Sequence, residues 1–592
     1  MNQRNNKSSI TSQSTATTSR GKAMDDKNVV EASTKGVSLL IIVQVITKLF
    51  TFVLNHALIR FISPSIFGIA AYLDLIRSTI LFFSREAIRL SVQRVNSTQP
   101  RTKRLQEVLN LGFLSIFISI PVSIIVGYLQ GYLSANFQQH FLNLPFLNLS
   151  MLVLILLIIA ELLVEPIYCV YQYELDFGKR SKFESTAMIL KCTVTVACVF
   201  LSARYFEGSE FNGAAILSFM LGQLAYAGTL LILYAFSFQG FNKLNQTCLR
   251  YKLISTNGEK NYFEPQILHM FQSFFLQMIF KQLLTEGDTL LISYMCTIEE
   301  QGAYAVVSNY GSIIARLLFQ PLEEATRLML TKIMSQAKKE DTLDGTGAKA
   351  TSVKDKITQN TTTSGTTITN DSYMQAFTYI KMVSLFYFNL CLVILFAGVT
   401  NGPFLLKLLL GNKNNWDKTD IFSLFPQYIT YIPFLAFNGV FEAFFTSLAT
   451  PKDILRYSKF MTVATALVLA LSYYLILVWN LRLSGLMIAN IANMSLRIIY
   501  CFFTLQKFFS KGGIKLSFGK AVSYITPSVG IMAATWLGQY WFVFRKTSFF
   551  TQDWQELLKS TIWSGILLLN LVILERQKLQ HAVRRVFHLK EE

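Results

Sequence analysis

The sequence predicts an all-α polytopic membrane protein of about fourteen transmembrane helices. Three observations carry that reading. Apolar runs of about 20 residues, the length that crosses a hydrocarbon core, recur from Val37 to Leu574. The composition is 52% hydrophobic and 14% aromatic with a mean hydropathy of +0.39, well above a soluble chain of this length. Lys and Arg concentrate in alternate loops, so the formal charge of +19 reads as membrane topology rather than nucleic-acid binding.

Taken in order, residues 1–34 are rich in Ser, Thr, Asn and Gln with no apolar core, which predicts a disordered cytosolic tail and not a cleavable signal. Predicted spans follow at 37–61, 66–90, 107–130, 147–173, 184–204, 212–238, 265–296, 303–331, 373–399, 421–449, 458–480, 485–508, 520–543 and 556–575. Pro166, Pro321, Pro426 and Pro433 fall inside spans, where a helix can kink or break. Lys281, Glu286 and Asp288 interrupt the seventh span and blur its limits.

Basic loops hold Arg94 to Arg104, Lys179 to Lys182, Lys243 to Lys260, Lys332 to Lys356, Lys452 to Lys459 and Lys507 to Lys520. The loop Gly131 to Leu147 has no Lys or Arg, and Thr297 to Gly302 carries only acids. Both termini are therefore expected in the cytosol, and the alternation supports an even number of spans. The loop Thr400 to Asp420, with Lys407, Lys413 and Lys418, departs from the pattern.

Two polar loops divide the chain. The expected organisation is an N-lobe over 35–240, a cytosolic linker over 241–264, a C-lobe over 265–510 with a disordered cytosolic loop at 337–371, and two further spans with a basic tail over 511–592. A short echo supports the split: acid-Ala-x-Arg-Leu occurs at Glu86 to Leu90 in the second span and at Glu324 to Leu328 in the eighth. Parallel repeats of this kind are a transporter architecture.

Arginine stands inside several spans: Arg316 in GSIIARLLF, Arg497 in IANMSLRIIYCFF, Arg85 and Arg89 in TILFFSREAIRL, and Arg60 at the end of VLNHALIRF. A charge at bilayer depth costs roughly 2.5–3.5 kcal/mol on the insertion scale, so such residues face a bundle interior or a wet cavity. Guanidinium stays charged and offers a planar fork of donors, which suits phosphate. Other readings stand beside an anion site. Arg85 and Arg89 could snorkel to the cytosolic headgroups, and Arg316 and Arg497 could each pair with a buried carboxylate.

The intramembrane acids are Glu161 and Glu165, four apart on one helix face, Glu286 and Asp288, Glu323 and Glu324, and Glu442. They could relay a proton or sodium ion, or simply neutralise the arginines. Lys281 could pair with Glu286 or extend a cationic wall. Enzymatic signatures (G-x-S-x-G, HExxH, a P-loop, DxD) are missing, and no Cys or His spacing suits a metal, so neither catalysis nor a cofactor is expected.

The blocks VLNHALIRFISPSIFGI (53–69), LFFSREAIRL (81–90), LLVEPIYCV (162–170), FKQLLTEGD (280–288), NYGSIIARLLFQPLEEA (309–325), NGVFEAF (438–444) and ANIANMSLRI (489–498) resemble, in order, the Rft family of endoplasmic-reticulum membrane proteins. That family is tied to translocation of lipid-linked oligosaccharide for N-glycosylation. The resemblance implies a fold like the multidrug/oligosaccharidyl-lipid/polysaccharide exporters, with two six-helix lobes about a central cavity plus two C-terminal helices. It implies an oligosaccharide joined through pyrophosphate to dolichol as ligand. The cationic cavity would map to Arg60, Arg85, Arg316 and Arg497, with Glu286 beside them; Arg89, Lys281, Glu161, Glu165, Glu324 and Glu442 are secondary candidates.

The expected function is translocation of this lipid to the luminal leaflet of the endoplasmic reticulum, or obligatory assistance of it. A non-transporting binding or scaffold protein of the glycosylation machinery, and an ion-coupled antiporter of the same fold, are the rival readings. Topology is directly testable. A glycosylation tag placed in 337–371 should stay unmodified, whereas one in 131–147, held far enough from the bilayer, should be modified.

Overall fold

Inside a bilayer no water satisfies backbone N–H and C=O groups, so apolar stretches close their own hydrogen bonds as helices. The computed structural model describes residues 47–245, 254–330 and 370–588, apart from a few short stretches inside these ranges. The expected N-terminal tail, and the loop 337–371 except for its last two residues, lie outside the described residues.

The first half of the chain forms α1 (Leu49–Ile59), α2 (Pro64–Val92), α3 (Arg101–Gly127), α4 (Ala135–His140), α5 (Leu147–Tyr173), α6 (Phe177–Tyr205) and α7 (Gly208–Asn245). After α7 comes a short antiparallel hairpin, β1 (Ile254–Thr256) with β2 (Glu259–Asn261), in which Ser255 faces Lys260. The sequence reading gave only a linker there. The second half forms α8 (Pro265–Met295), α9 (Ile298–Ile314), α10 (Asn370–Leu410), α11 (Ile421–Leu448), α12 (Pro451–Tyr473), α13 (Arg482–Lys511), α14 (Phe518–Gln539) and α15 (Trp554–His588). A π turn at Ala315–Phe319 ends α9, and helix resumes from 320 towards 330.

The chain is a multi-pass membrane protein, and among the described residues its regular structure is helical apart from that hairpin. Among the described residues, ten helical stretches are long and apolar enough to cross a bilayer. The described parts of the expected spans at 37–61, 265–296, 303–331 and 520–543 fall on helices but outside those ten. Lys281, Glu286 and Asp288 all lie within α8. The prolines at 166, 426 and 433 sit within α5 and α11, which continue through them.

The chain forms two compact units. The first comprises residues up to Phe61 with Ile80–Ile125 and Leu144–Phe275; the second comprises Ile62–Thr79, Val126–Asn143 and Leu276–Glu592. In the first, α5, α6 and α7 pack together. Its core joins Ile88, Leu105, Leu109, Ile167, Tyr168 and Tyr234. Cys169 is buried in the same core as a small packing residue.

In the second unit, α11 is the central helix, packed on α9, α10 and α13, while α14 and α15 pack on α10. The start of α9 is tied down by several groups at once. Thr297 and Glu300 form a capping box, which satisfies two otherwise orphaned N–H groups. Ser65 donates to Glu299 at 2.6 Å, and Arg482, held in the left-handed region at φ 47°, reaches Glu300 at 3.2 Å. Gly68 lies against the Ile298 carbonyl and Gly302 against the Pro64 carbonyl, so a Cβ at either position would overlap backbone.

Burial alone would raise the Glu299 carboxyl, but the Ser65 hydroxyl, its own backbone N–H and the nearby His140 outweigh that and hold it below the usual carboxylate range. A depressed carboxylate contributes stability above its unfolded pKa and loses it as pH falls through the folded one. Ser65→Ala should therefore lower stability at pH 7 by about 1 kcal/mol. The deficit should shrink below about pH 4, read by thermal unfolding of the purified protein across pH.

Candidate functional site

The α5 run is nearly all apolar, and its two acids, Glu161 and Glu165, fall on one face because they are four residues apart. Both are buried, at 4% and 1% exposure, so each needs a partner within the protein. The partners come from α2. Arg85 Nη1 donates to Glu161 Oε2 at 3.1 Å, and Arg89 donates through Nε and Nη2 to both oxygens of Glu165, the second at 2.7 Å. Both rungs have the same sequence offset of 76, which requires α2 and α5 to run in the same direction. This agrees with their expected places as second and fourth spans.

Aromatic rings complete the site. The Arg89 guanidinium stacks on Tyr168 at 4.0 Å from the ring centroid, and Arg180 of α6 approaches the same ring at 5.0 Å. Arg180 also pairs with Glu184 at 2.9 Å. Arg85, Arg89, Glu161, Glu165, Tyr168 and Tyr234 line a cavity of about 60 Å³. The Tyr234 hydroxyl is buried in it without a hydrogen-bond partner. That volume holds a few waters and is far too small for a diphosphate with sugars.

This geometry decides between the readings of these residues. Arg89 does not snorkel: its guanidinium is fixed on Glu165 and Tyr168 and is only 18% exposed. Glu161 and Glu165 neutralise arginines. Arg85, 26% exposed and held by one hydrogen bond, keeps further donors unused in that pairing.

The second unit holds a different arrangement. Arg497, mid-way along α13 and half-buried, rests on two thioethers: Nε lies 3.3 Å from Met461 Sδ and Nη1 3.9 Å from Met494 Sδ. Thioether sulfur is a weak acceptor. Among the described residues Arg497 makes no ion pair, so the expectation of a buried carboxylate partner does not hold there. On α8, Asp288 accepts from Tyr304 at 2.7 Å and from the Thr289 backbone at 2.8 Å. Glu286 is half-buried in the field of Asp288 and Asp74, and the buried Tyr431 lies between the fields of Asp288 and Arg497.

The other candidates are less placed. Arg60 is exposed just beyond α1. Arg316 sits on the π turn that ends α9, where backbone spacing widens, but its side chain and that of Lys281 lie outside the described residues. Glu324 is exposed and Glu442 is half-buried on α11. Sequence reasoning did not single out Tyr168, Tyr234 or Arg180. The signal for Arg180 was its spacing to Glu184, which the topology reading had absorbed as loop charge.

Breaking a buried pair strands the surviving charge. Glu165→Ala should cost about 3–5 kcal/mol, and adding Arg89→Met should recover most of it, read as unfolding temperature and detergent-solubilised yield.

Known proteins place the chain. A family model described as Rft protein matches residues 32–585. The chain is 48% identical over 567 residues to the Man(5)GlcNAc(2)-PP-dolichol translocation protein RFT1 of Candida albicans, covering 95% of this chain and 96% of that protein. It is 35% identical over 598 residues to the protein of the same name from Saccharomyces cerevisiae, covering 94% and 96%. Among solved structures it is similar to "Lipid II flippase MurJ, inward closed conformation", with a TM-score of 0.53 at 14% identity, covering 91% of this chain and 99% of that one. That likeness concerns the fold alone and agrees with the exporter-type fold expected from the sequence.

Proposed function

The chain belongs to the Rft protein family, and from that premise we propose that it translocates a dolichyl-pyrophosphate oligosaccharide of the Man(5)GlcNAc(2) class across the membrane. The proposed setting is the endoplasmic-reticulum membrane, with both termini in the cytosol. The proposed role is non-enzymatic: the sugar and pyrophosphate pass through protein while the lipid tail remains in the bilayer.

One observation carries the reading. Arg497 holds a guanidinium inside a membrane helix, and its hydrogen-bond partners among the described residues are thioethers. Placing a charge there costs roughly 2.5–3.5 kcal/mol on the insertion scale, and such residues mark ligand pathways by default. A diphosphate supplies the missing anion, and guanidinium holds it through parallel N–H donors. Tyr431, which both Arg497 and Asp288 act on, is a polar group that suits hydroxyl-rich sugar better than lipid.

The arginine pairs of the first unit take a supporting part in this reading. Arg89 holds α2 on α5, and Arg85, with spare donors, is the group there able to exchange partners with a passing phosphate.

Purified protein in vesicles with labelled Man(5)GlcNAc(2)-PP-dolichol tests the proposal. Transfer between leaflets should exceed that of empty vesicles, and Arg497→Ala should reduce it about 10–100-fold, the value of one charge-assisted contact. The same variant should fold and reach the membrane yet fail to restore N-glycosylation in cells lacking the native protein. No transfer above empty vesicles by the wild type would favour the binding or scaffold reading; wild-type rates in Arg497→Ala would remove Arg497 from the site.

A further inference from the structure

Within the second unit, α13 has two unlike faces. Ile488, Leu496, Ile499 and Phe503 are large apolar side chains that stay exposed, and helical spacing puts them on one side, the side suited to lipid. Asn490, Asn493 and Arg497 follow at i, i+3 and i+7 on the opposite side, and all three are half-buried. Polar side chains of membrane helices turn towards protein because partners are found there. Ser495, nearer the lipid side, instead returns its hydroxyl to the Ile491 carbonyl at 2.7 Å.

Asn493 has no such outlet. Its Oδ1 is enclosed and nothing donates to it. Buried side-chain oxygens are nearly always hydrogen-bonded, so an orphan acceptor calls for a ligand or a water. One helical turn further, about 6 Å along the axis, the Arg497 guanidinium rests on the thioethers of Met461 and Met494. One face of α13 therefore presents an acceptor lacking a donor beside a guanidinium that makes no ion pair among the described residues. Asn493 as a residue is only half-buried, so rotation about its own side-chain bonds brings the oxygen to the surface that it shares with Arg497.

The ligand class proposed above carries a matching pair of groups. In a Man(5)GlcNAc(2)-PP head group, N-acetylglucosamine adjoins the diphosphate. The phosphate is on the anomeric carbon of that sugar and the acetamido group is on the next carbon, so an anion and an N–H donor lie side by side. We propose that Asn493 reads this acetamido group: Oδ1 accepts its N–H while Arg497 holds the adjoining phosphate, and the acetyl methyl packs on Met461 and Met494. Thioether side chains are apolar and adaptable, which suits a methyl group. Arg497 then supplies affinity for any glycosyl diphosphate, and Asn493 supplies selectivity for an N-acetylated sugar. A site built to bond a substrate N–H rejects an analogue lacking it, because the oxygen is again left alone.

The inference rests on that ligand class and not on transport, so it is tested by binding. Short-chain prenyl diphosphates bearing N-acetylglucosamine, glucose or 2-deoxyglucose are titrated onto the purified full-length protein in detergent, read as the shift in unfolding temperature. Wild type should bind the acetamido probe at least about 10-fold more tightly than the 2-deoxy probe, with the glucosyl probe, which keeps a donor but no methyl, between them. Asn493→Leu should weaken the acetamido probe about 10-fold and leave the 2-deoxy probe as in wild type, which also shows that the variant is folded. Arg497→Ala should weaken all three by a common factor. Equal binding of the three probes by wild type, binding of none, or an Asn493→Leu variant that weakens the acetamido and 2-deoxy probes alike (as it would if the oxygen served only a structural water) overturns the proposal. The expected order of binding without transfer between leaflets in vesicles would uphold it and remove translocation instead.

Discussion

Hydrocarbon offers no hydrogen bonds, and every other feature of this chain follows from that constraint. Backbone groups close on themselves as helices, and each intramembrane charge must find a partner among side chains. The α2–α5 ladder is the fullest answer. Two acids four residues apart on one helix meet two arginines four residues apart on another, and the common spacing holds both rungs in register. Stacking of Arg89 and Arg180 on Tyr168 spreads the remaining positive charge over an aromatic face.

The two units use the same materials to opposite ends. The first neutralises its charges internally around a cavity with room for only a few waters. The second leaves, among the described residues, a guanidinium on thioethers. Removing either partner from a closed pair is expensive, so the first unit is built to persist. Groups left without partners are suited to ligands that arrive and leave, which is what a translocator of an anionic head group requires. The anchoring at the start of α9 shows the same economy of polar groups: a capping box, a hydroxyl and an arginine share two adjacent glutamates.

Much of this was legible in the residues. The order of spans, the direction of α2 relative to α5, the family and the candidate arginines all follow from apolar run length, loop charge and short motifs. Gly68 and Gly302 were visible only as markers of equivalent positions. Their role as points of backbone approach to Ile298 and Pro64 was not. The hairpin at Ile254–Asn261 was missed because a three-residue strand carries too little pattern to stand out from a polar linker.

Sequence alone determined the class, the helix order and which residues carry charge at depth, because hydropathy and charge are properties of residues along one chain. Tertiary structure decided which charges are satisfied. Arg89 could not be told from a snorkelling arginine until Glu165 and Tyr168 were found beside it. Nor could Arg497 be told from a paired one until its neighbours proved to be methionines. The physical reason is geometric. Spacing fixes which side chains share a helix face, but which helix that face meets depends on packing between segments far apart in the chain.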